Sequence, residues 1–100
     1  MHDFKFTDSQ EVWLAALESG EHKQCFGALE EAGGVCPLGL ALRLEGSQYA
    51  DLLTITSQLH MTPASERHVI RLNDVNRLSL PEIAARIRRE PTRFFTRGAA

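Results

Sequence analysis

Apolar residues recur at helical spacing near the end of the chain, where they predict an amphipathic helix. Ser79, Pro81 and Glu82 supply an N-cap, a first-turn proline and a capping-box glutamate at its start. Pro91 is expected to limit the other end, because proline lacks the amide donor that a helix needs. The apolar positions that follow the i, i+3, i+4, i+7 rule are expected in the core: Leu80, Ile83, Ala84 and Ile87.

A second amphipathic pattern lies near the start of the chain. Asp8 and Glu11 have the spacing of an N-cap and a capping-box glutamate, and Gly20 supplies a stop signal. The sequence therefore predicts a first helix between Asp8 and Gly20. Its buried face is predicted to carry Val12, Trp13, Ala16 and Leu17.

Shorter elements are predicted in the middle of the chain. Residues 23–29 and Val35–Cys36 are predicted to pair as a small hairpin around a turn at residues 30–34. Pro37 then opens a short helix that is apolar almost all round, so it is expected to be buried until Gly46 ends it.

Two further helices complete the predicted fold. Ser47 is predicted to cap the third helix, and Thr62-Pro63 to start a fourth that reaches Leu72. The fold class is therefore mainly α (α+β), a compact bundle of about five helices with a small β-hairpin. Residues 1–100 are predicted to form a single globular domain with a short flexible C-terminal end, residues 97–100.

Composition narrows the class of protein. One hundred residues, 43% of them hydrophobic, suffice for one core, in which we expect Trp13, Phe26 and Phe94-Phe95. No apolar stretch is long enough to span a bilayer, and the start lacks the basic and apolar regions of a signal peptide. We therefore expect a cytoplasmic protein that binds no membrane, with Cys25 and Cys36 as reduced thiols.

Candidate chemistry is sparse. His22, Cys25 and Cys36 come closest to a metal pattern, but a closed zinc site needs four ligands and usually a paired motif. Cys36 precedes a helix N-terminus, which favours a thiolate, yet Pro37 removes one amide donor there. Asn73-Asp74 is expected to cap a helix end and the following turn. We therefore predict no enzymatic activity, no metal and no cofactor.

Charges are sorted by half along the chain. Residues 1–50 hold eight acids against three bases, whereas residues 51–100 hold eight arginines and no lysine against five acids. The formal net charge of −2 conceals this asymmetry. A charge distribution of this kind favours a charged partner.

Two charge clusters are candidate binding surfaces. Glu18 and Glu21 fall at the end of the first helix, where the helix dipole favours cations, and Glu30-Glu31 places two acids together. Lys23 is the evident local base, so these four acids are predicted to bind a basic partner; a solvated acidic face is the alternative. The second cluster lies in and after the last helix: Arg86, Arg88, Arg89, Arg93 and Arg97.

The arginine cluster has an internal interpretation as well. Arg86 and Arg89 lie at helical spacing from Glu82 and Glu90, so pairing with these acids is predicted to balance much of their charge. Arginine in place of lysine suits bidentate contacts with carboxylates or phosphates. A nucleic-acid interface at Arg86, Arg89 and Arg93 therefore stays open as an alternative.

Five strings of residues, in this order and spacing, give the chain a resemblance to a set of small proteins encoded by phages and mobile elements. Within that set it resembles the type I-F anti-CRISPR proteins. The wider set often has two adjacent cysteines before Leu-Gly, where this chain has Cys36-Pro37, which argues against a shared thiol chemistry. The strings are Trp13-x-x-Ala16-Leu17-x-Ser19-Gly20-x-x-x-Gln24, Gly27-x-Leu29, Cys36-x-Leu38-Gly39, Leu72-Asn73-Asp74 and Leu78-Ser79-x-x-Glu82-Ile83-Ala84.

The resemblance implies a stoichiometric inhibitor of the type I-F surveillance complex, also called Csy or Cascade. It implies binding near the large and backbone subunits and obstruction of target DNA. An inhibitor with an acidic face is expected not to bind nucleic acid directly. It assigns no contact residues. The acidic face Glu18, Glu21, Glu30 and Glu31 comes from the charge argument alone. The alternatives are a small nucleic-acid-binding module that uses the last helix and, third, an enzyme that uses Cys36 or Cys25.

Overall fold

A computed structural model describes residues 4–45 and 52–99 of the chain. Within these ranges the chain forms five α-helices, a two-stranded antiparallel hairpin and one 3-10 turn, which confirms the predicted fold class. The elements are α1 (Asp8–Glu18), β1 (Glu30–Glu31), β2 (Gly34–Val35), α2 (Pro37–Glu45), α3 (Leu52–Gln58), α4 (Pro63–Asp74), α5 (Leu80–Arg89) and the 3-10 turn Pro91–Arg93.

Helix α1 begins with a capping box one residue earlier than predicted. The Thr7 side chain accepts a hydrogen bond from the Gln10 amide at 3.1 Å, and the Gln10 side chain accepts one from the Thr7 amide at 2.9 Å. The assignment of the N-cap to Asp8 was therefore wrong, because Thr7 and Gln10 satisfy both orphan donors. Asp8 and Glu11 instead lie in the first turn, where negative charge complements the helix dipole.

The buried face of α1 is also rotated from the predicted one. Trp13 and Leu17 are buried as predicted, but Val12 is 57% exposed. Leu14 takes its place in the core, because α1 packs against α5 and α2 along the stripe that starts at Gln10.

The side chain of Gln10 links α1 to two distant parts of the chain. Its side-chain amide donates to the Leu59 carbonyl at 2.8 Å and to the Arg97 carbonyl at 2.9 Å. The Ala99 amide donates to the Lys5 carbonyl at 2.6 Å. Arg97 and Ala99, which belong to the end predicted to be flexible, are thus hydrogen bonded to the first half of the chain.

Val35 is in the second strand as predicted, but the rest of the hairpin lies within the stretch predicted to be its turn. Glu30 pairs with Val35 and Glu31 with Gly34, and only Ala32 and Gly33 lie between the strands. Both turn residues have positive φ, 51° and 81°, which is the signature of the tight primed turn that matches strand twist. The predicted turn at residues 30–34 was therefore too long.

The predicted strand at residues 23–29 is reduced to a single bridge. Gln24 pairs in parallel with Val35, supported by hydrogen bonds from the Val35 amide to the Lys23 carbonyl and from the Cys25 amide to the Val35 carbonyl. The chain then leaves the ribbon, because side chains of α4 take over its polar groups, as described below. The hairpin prediction was right in kind and wrong in register.

The remaining helix starts largely follow local signals. Pro37 opens α2, Thr62 caps α4 through its side chain, and Ser79 caps α5 with Glu82 in a full capping box, all as predicted. The predicted stop at Gly46 and cap at Ser47 fall outside the described residues.

All five helices and β2 contribute to one hydrophobic core. Leu80, Ile83, Ala84 and Ile87 are buried as predicted, and so are Phe94 and Phe95. Phe26, predicted in the core, is only half-buried. The guanidinium carbon of Arg77 lies over its ring, 4.3 Å from the ring centroid. The fully buried large side chains include Trp13, Phe94, Leu14, Leu17, Leu38 and Leu40.

Candidate functional site

Asn73 is the hub of a buried polar cluster at the end of α4. The Gln24 side chain donates to the Asn73 side-chain oxygen at 2.7 Å and to the Leu78 carbonyl at 2.7 Å. Asn73 Nδ2 donates to the Cys25 carbonyl at 2.9 Å. Asn73 is fully buried, so these hydrogen bonds replace its hydration. They also hold the segment that contains Gln24 and Cys25 against α4.

Asp74 extends this cluster to the next loop residue. Its Oδ1 accepts from the Gly27 amide at 2.9 Å and from Asn73 Nδ2 at 2.7 Å. Asn73 and Asp74 form the last turn of α4, beyond the predicted end at Leu72, and they bind a distant loop as well as ending the helix. The cluster is thus a structural clamp.

The other strings that carry the resemblance also have packing roles. The Trp13 indole donates to the Pro37 carbonyl at 2.8 Å, and the Cys36 amide donates to the Leu29 carbonyl at 3.0 Å. A Cβ at Gly39 would overlap the Leu29 carbonyl oxygen, so only glycine at this position of α2 lets the backbone of Leu29 lie against the helix. These residues of the strings therefore serve the packing of this chain, and the candidate binding groups lie elsewhere.

Removal of the Asn73 amide tests the clamp. Asn73→Ala is expected to lower the free energy of unfolding by about 1 to 3 kcal/mol, because the Cys25 carbonyl and the Gln24 amide lose a buried partner. Urea denaturation of this variant and of Asn76→Ala, an exposed asparagine of the same turn, provides the comparison. Equal stability of the two variants would refute the clamp.

Both cysteines are buried thiols. The Cys25 thiol donates to the Ala28 carbonyl at 3.3 Å, and the Gly39 amide donates to the Cys36 sulfur at 3.4 Å. Burial raises the pKa of Cys36, which opposes thiolate formation despite two backbone amides near the sulfur. Within residues 4–45 and 52–99, no three His, Cys, Asp or Glu side chains are grouped to hold a metal ion.

Arg88 joins α5 to α1 through two carboxylates. Its guanidinium donates to Glu18 at 2.6 and 3.0 Å and to Glu11 at 2.5 and 3.2 Å. The hydrogen bonds from Arg88 lower the pKa of Glu11, and those to Glu11 and Glu18 raise the pKa of Arg88. Glu18, a predicted partner-binding acid, is therefore already paired within the molecule.

Glu30 is paired as well. Its carboxylate lies 2.5 Å from Arg43 Nη2, and the side chains are 62% and 36% exposed, so the bond is a surface ion pair of small energy. The lack of a local base other than Lys23 favoured an external partner, but Glu18 and Glu30 bind arginines from other elements of the same chain. Sequence spacing does not reveal Arg88 or Arg43 as the partner, because each arginine lies on a different element from the acid that it binds.

Glu21 and Glu31 are the two predicted acids that stay exposed without an ion pair among the described residues. The parallel bridge of Gln24 to Val35 places the residues before Gln24 beside the turn of the hairpin. Lys23 Nζ donates to the Ala32 carbonyl at 3.3 Å, which confirms that this segment reaches the turn. We call Glu21 and Glu31 the acidic edge.

The arginines of α5 lack their predicted partners. The Glu82 side chain accepts from the Ser79 amide at 3.0 Å, an interaction that lowers the pKa of Glu82. Glu90 lies 3.9 Å from Arg93. Neither Arg86 nor Arg89 forms an ion pair in the described part of the chain, so the predicted internal balance of their charge was wrong.

An open groove between α1, α2 and α3 was not predicted. Its volume is about 220 Å³, and it explains why Val12 and Leu44 are exposed at 57% and 39%. The only charged side chain among its described lining residues is Asp8, so the groove offers an apolar surface without a catalytic pair. The groove was not predicted because Val12, one of its lining residues, was assigned to the core.

Comparison with protein-family models, with curated proteins and with solved structures finds no significant match for this chain. Within residues 4–45 and 52–99, none of the helices is both long and apolar enough to cross a membrane. The geometry therefore presents three surfaces: the acidic edge, the arginines of α5 and the open groove.

Proposed function

We propose that this protein is a stoichiometric inhibitor of the type I-F (Csy or Cascade) surveillance complex that blocks binding of target DNA. Support for the target comes from the resemblance of the five sequence strings to type I-F anti-CRISPR proteins. The observation that carries the binding mode is the acidic edge, two exposed carboxylates without ion pairs among the described residues. The large and backbone subunits are the proposed contacts.

Electrostatics supports the choice of partner. A surveillance complex grips DNA and its heteroduplex through lysine and arginine, and a compact protein with exposed carboxylates can occupy part of that basic surface. Complementary charges raise the association rate and orient the encounter more than they raise affinity. The acidic edge is thus proposed to direct docking, with apolar contacts elsewhere contributing affinity.

The scaffold holds the acidic edge in place before binding. Glu31 precedes a tight two-residue turn, and the segment that follows Glu21 is held by the bridge to Val35 and by the bonds of Gln24 to Asn73. Preorganisation of this kind lowers the conformational entropy lost on association. Glu18 and Glu30 contribute in this proposal only by exchanging Arg88 and Arg43 for basic groups of the partner.

The test is charge reversal at the acidic edge. Glu21→Lys with Glu31→Lys is expected to weaken binding to the purified type I-F complex on the order of 10-fold to 100-fold, chiefly through a slower association rate at low salt. Binding kinetics and protection of labelled target DNA from the complex are measured together. The fold should persist, because both side chains are exposed.

A matched control changes the net charge equally at another place. Glu66→Lys with Glu90→Lys alters α4 and the end of α5, away from the hairpin. Similar losses in both double variants would show that net charge alone matters and would reject the acidic edge. Failure of the unaltered protein to bind the complex would reject the proposed target.

A further inference from the structure

Several arginines have no ion pair in the described part of the chain. On α4 and α5 these arginines are Arg67, Arg71, Arg86 and Arg89. Arg71 and Arg89 are exposed and Arg86 is half-exposed. Their charge is therefore available to a partner.

The orientation of α5 is set by Arg88. Because Arg88 binds Glu11 and Glu18, its side of α5 faces α1. Arg86 lies two residues earlier, which is about 200° around a helix of 3.6 residues per turn. Arg86 therefore lies on the opposite flank of α5 from Arg88, and α5 also packs against α4.

Helix α4 presents Arg71 to the boundary between α4 and α5. The His68 ring stacks on Phe94 with centroids 4.7 Å apart, and the Ser65 hydroxyl donates to the Arg93 carbonyl at 3.4 Å. This side of α4 thus faces α5 and the turn after it. Arg71, three residues after His68, is its neighbour on the helix surface and lies on the outer rim of the boundary.

We group Arg71, Arg86 and Arg89 with Arg93, in the turn after α5, and call these four residues the arginine surface. Two nearby acids are already engaged: Glu82 accepts from the Ser79 amide in the cap of α5, and Glu90 lies 3.9 Å from Arg93, which is the one member of the arginine surface with an ion pair among the described residues. Among the described residues, four large apolar side chains are exposed, and one of them, Val75 at the C-cap of α4, adjoins this helix pair. A protein interface needs an apolar centre, so this surface favours a partner that is recognised by charge.

We propose that the arginine surface binds the phosphate backbone of nucleic acid without sequence preference. Planar guanidinium groups donate two parallel hydrogen bonds to a phosphate, and several along one helix pair can follow successive phosphates. This contact departs from the expectation of no direct nucleic-acid binding. It involves other residues than the acidic edge and does not rest on the inhibitor proposal.

Fluorescence anisotropy with the full chain and DNA alone tests the proposal. The probes are a labelled duplex of about 20 base pairs, a scrambled duplex and the corresponding single strand. Binding to all three is expected, with a dissociation constant on the order of 10⁻⁶ to 10⁻⁴ M and a slope of log K against log salt near −3 for the duplex, about −0.9 per phosphate contacted. Arg86→Ala and Arg89→Ala should each reduce the magnitude of that slope by about 1.

Charge reversal supplies the decisive comparison. Arg71→Glu with Arg86→Glu is expected to weaken duplex binding by more than about 10-fold, whereas Lys23→Glu with Arg43→Glu, which changes net charge equally at the hairpin and α2, should change it by less than about 3-fold. Circular dichroism confirms folding of each variant, and the alanine variants decide if a reversal variant unfolds. No duplex binding at about 50 mM salt, equal loss in both double variants, or equally tight binding of polyglutamate would overturn the proposal.

Discussion

Replacement of Ile83 by alanine is expected to lower the free energy of unfolding by about 2 to 5 kcal/mol. Ile83 is fully buried on the face of α5 that packs against α1. The substitution loses the transfer free energy of three carbon atoms and leaves a cavity that neighbours in the core only partly fill. Chemical denaturation followed by far-ultraviolet circular dichroism measures the effect.

A graded series separates packing from a general effect of mutation on α5. Ile83→Val should cost about 0.5 to 1.5 kcal/mol, because it removes a single methyl group. Ala85→Ser, at an exposed position of the same helix, should change stability by less than about 0.5 kcal/mol. A loss below half a kcal/mol for Ile83→Ala would show that this face does not form the core.

Gly39→Ala is expected to destabilise the protein by about 1 to 3 kcal/mol or more, although alanine is normally the better helix former by about 0.5 to 1 kcal/mol. The new Cβ would overlap the Leu29 carbonyl oxygen and lie 2.7 Å from the Leu29 carbonyl carbon, both backbone atoms. Relief requires movement of the Leu29 backbone, which also accepts the Cys36 amide at 3.0 Å. The prediction is thus a reversal of sign.

Arg43 supplies the matched control in α2. Arg43→Ala should be more stable than Arg43→Gly by about 0.5 to 1 kcal/mol, since both variants lose the same ion pair and differ only in helix propensity. Thermal or urea unfolding of all four proteins gives both differences. If Gly39→Ala is neutral or stabilising, the close approach of the Leu29 loop to α2 is wrong.

Local sequence signals located most of the helices correctly. Thr62 and Ser79 cap α4 and α5 as predicted, and the apolar spacing of α5 identified its buried face. These features depend on atoms within about four residues along the chain, and their geometry is the same in any fold. The displaced cap at Thr7 shows the limit of the method, because two overlapping capping boxes compete and sequence alone ranks them poorly.

The hairpin was predicted in kind but not in register. Glu30 and Glu31 resemble turn residues, since exposed acids are uncommon in strands. They form β1 because the positive φ angles of Ala32 and Gly33 close a tight turn, and because Val35 pairs on both sides. The pairing of strands depends on which residues are neighbours in space, and residue spacing along the sequence does not specify those neighbours.

The candidate surfaces show the same division most clearly. The sequence by itself determined how many charges each half carries, and hence that a charged partner is a reasonable expectation. Only the tertiary structure decided which charges remain free. Arg88 lies 70 and 77 residues from the two acids that it binds, Glu18 and Glu11. Coulomb energy depends on distance in space, so a count along the chain cannot separate a paired carboxylate from an available one.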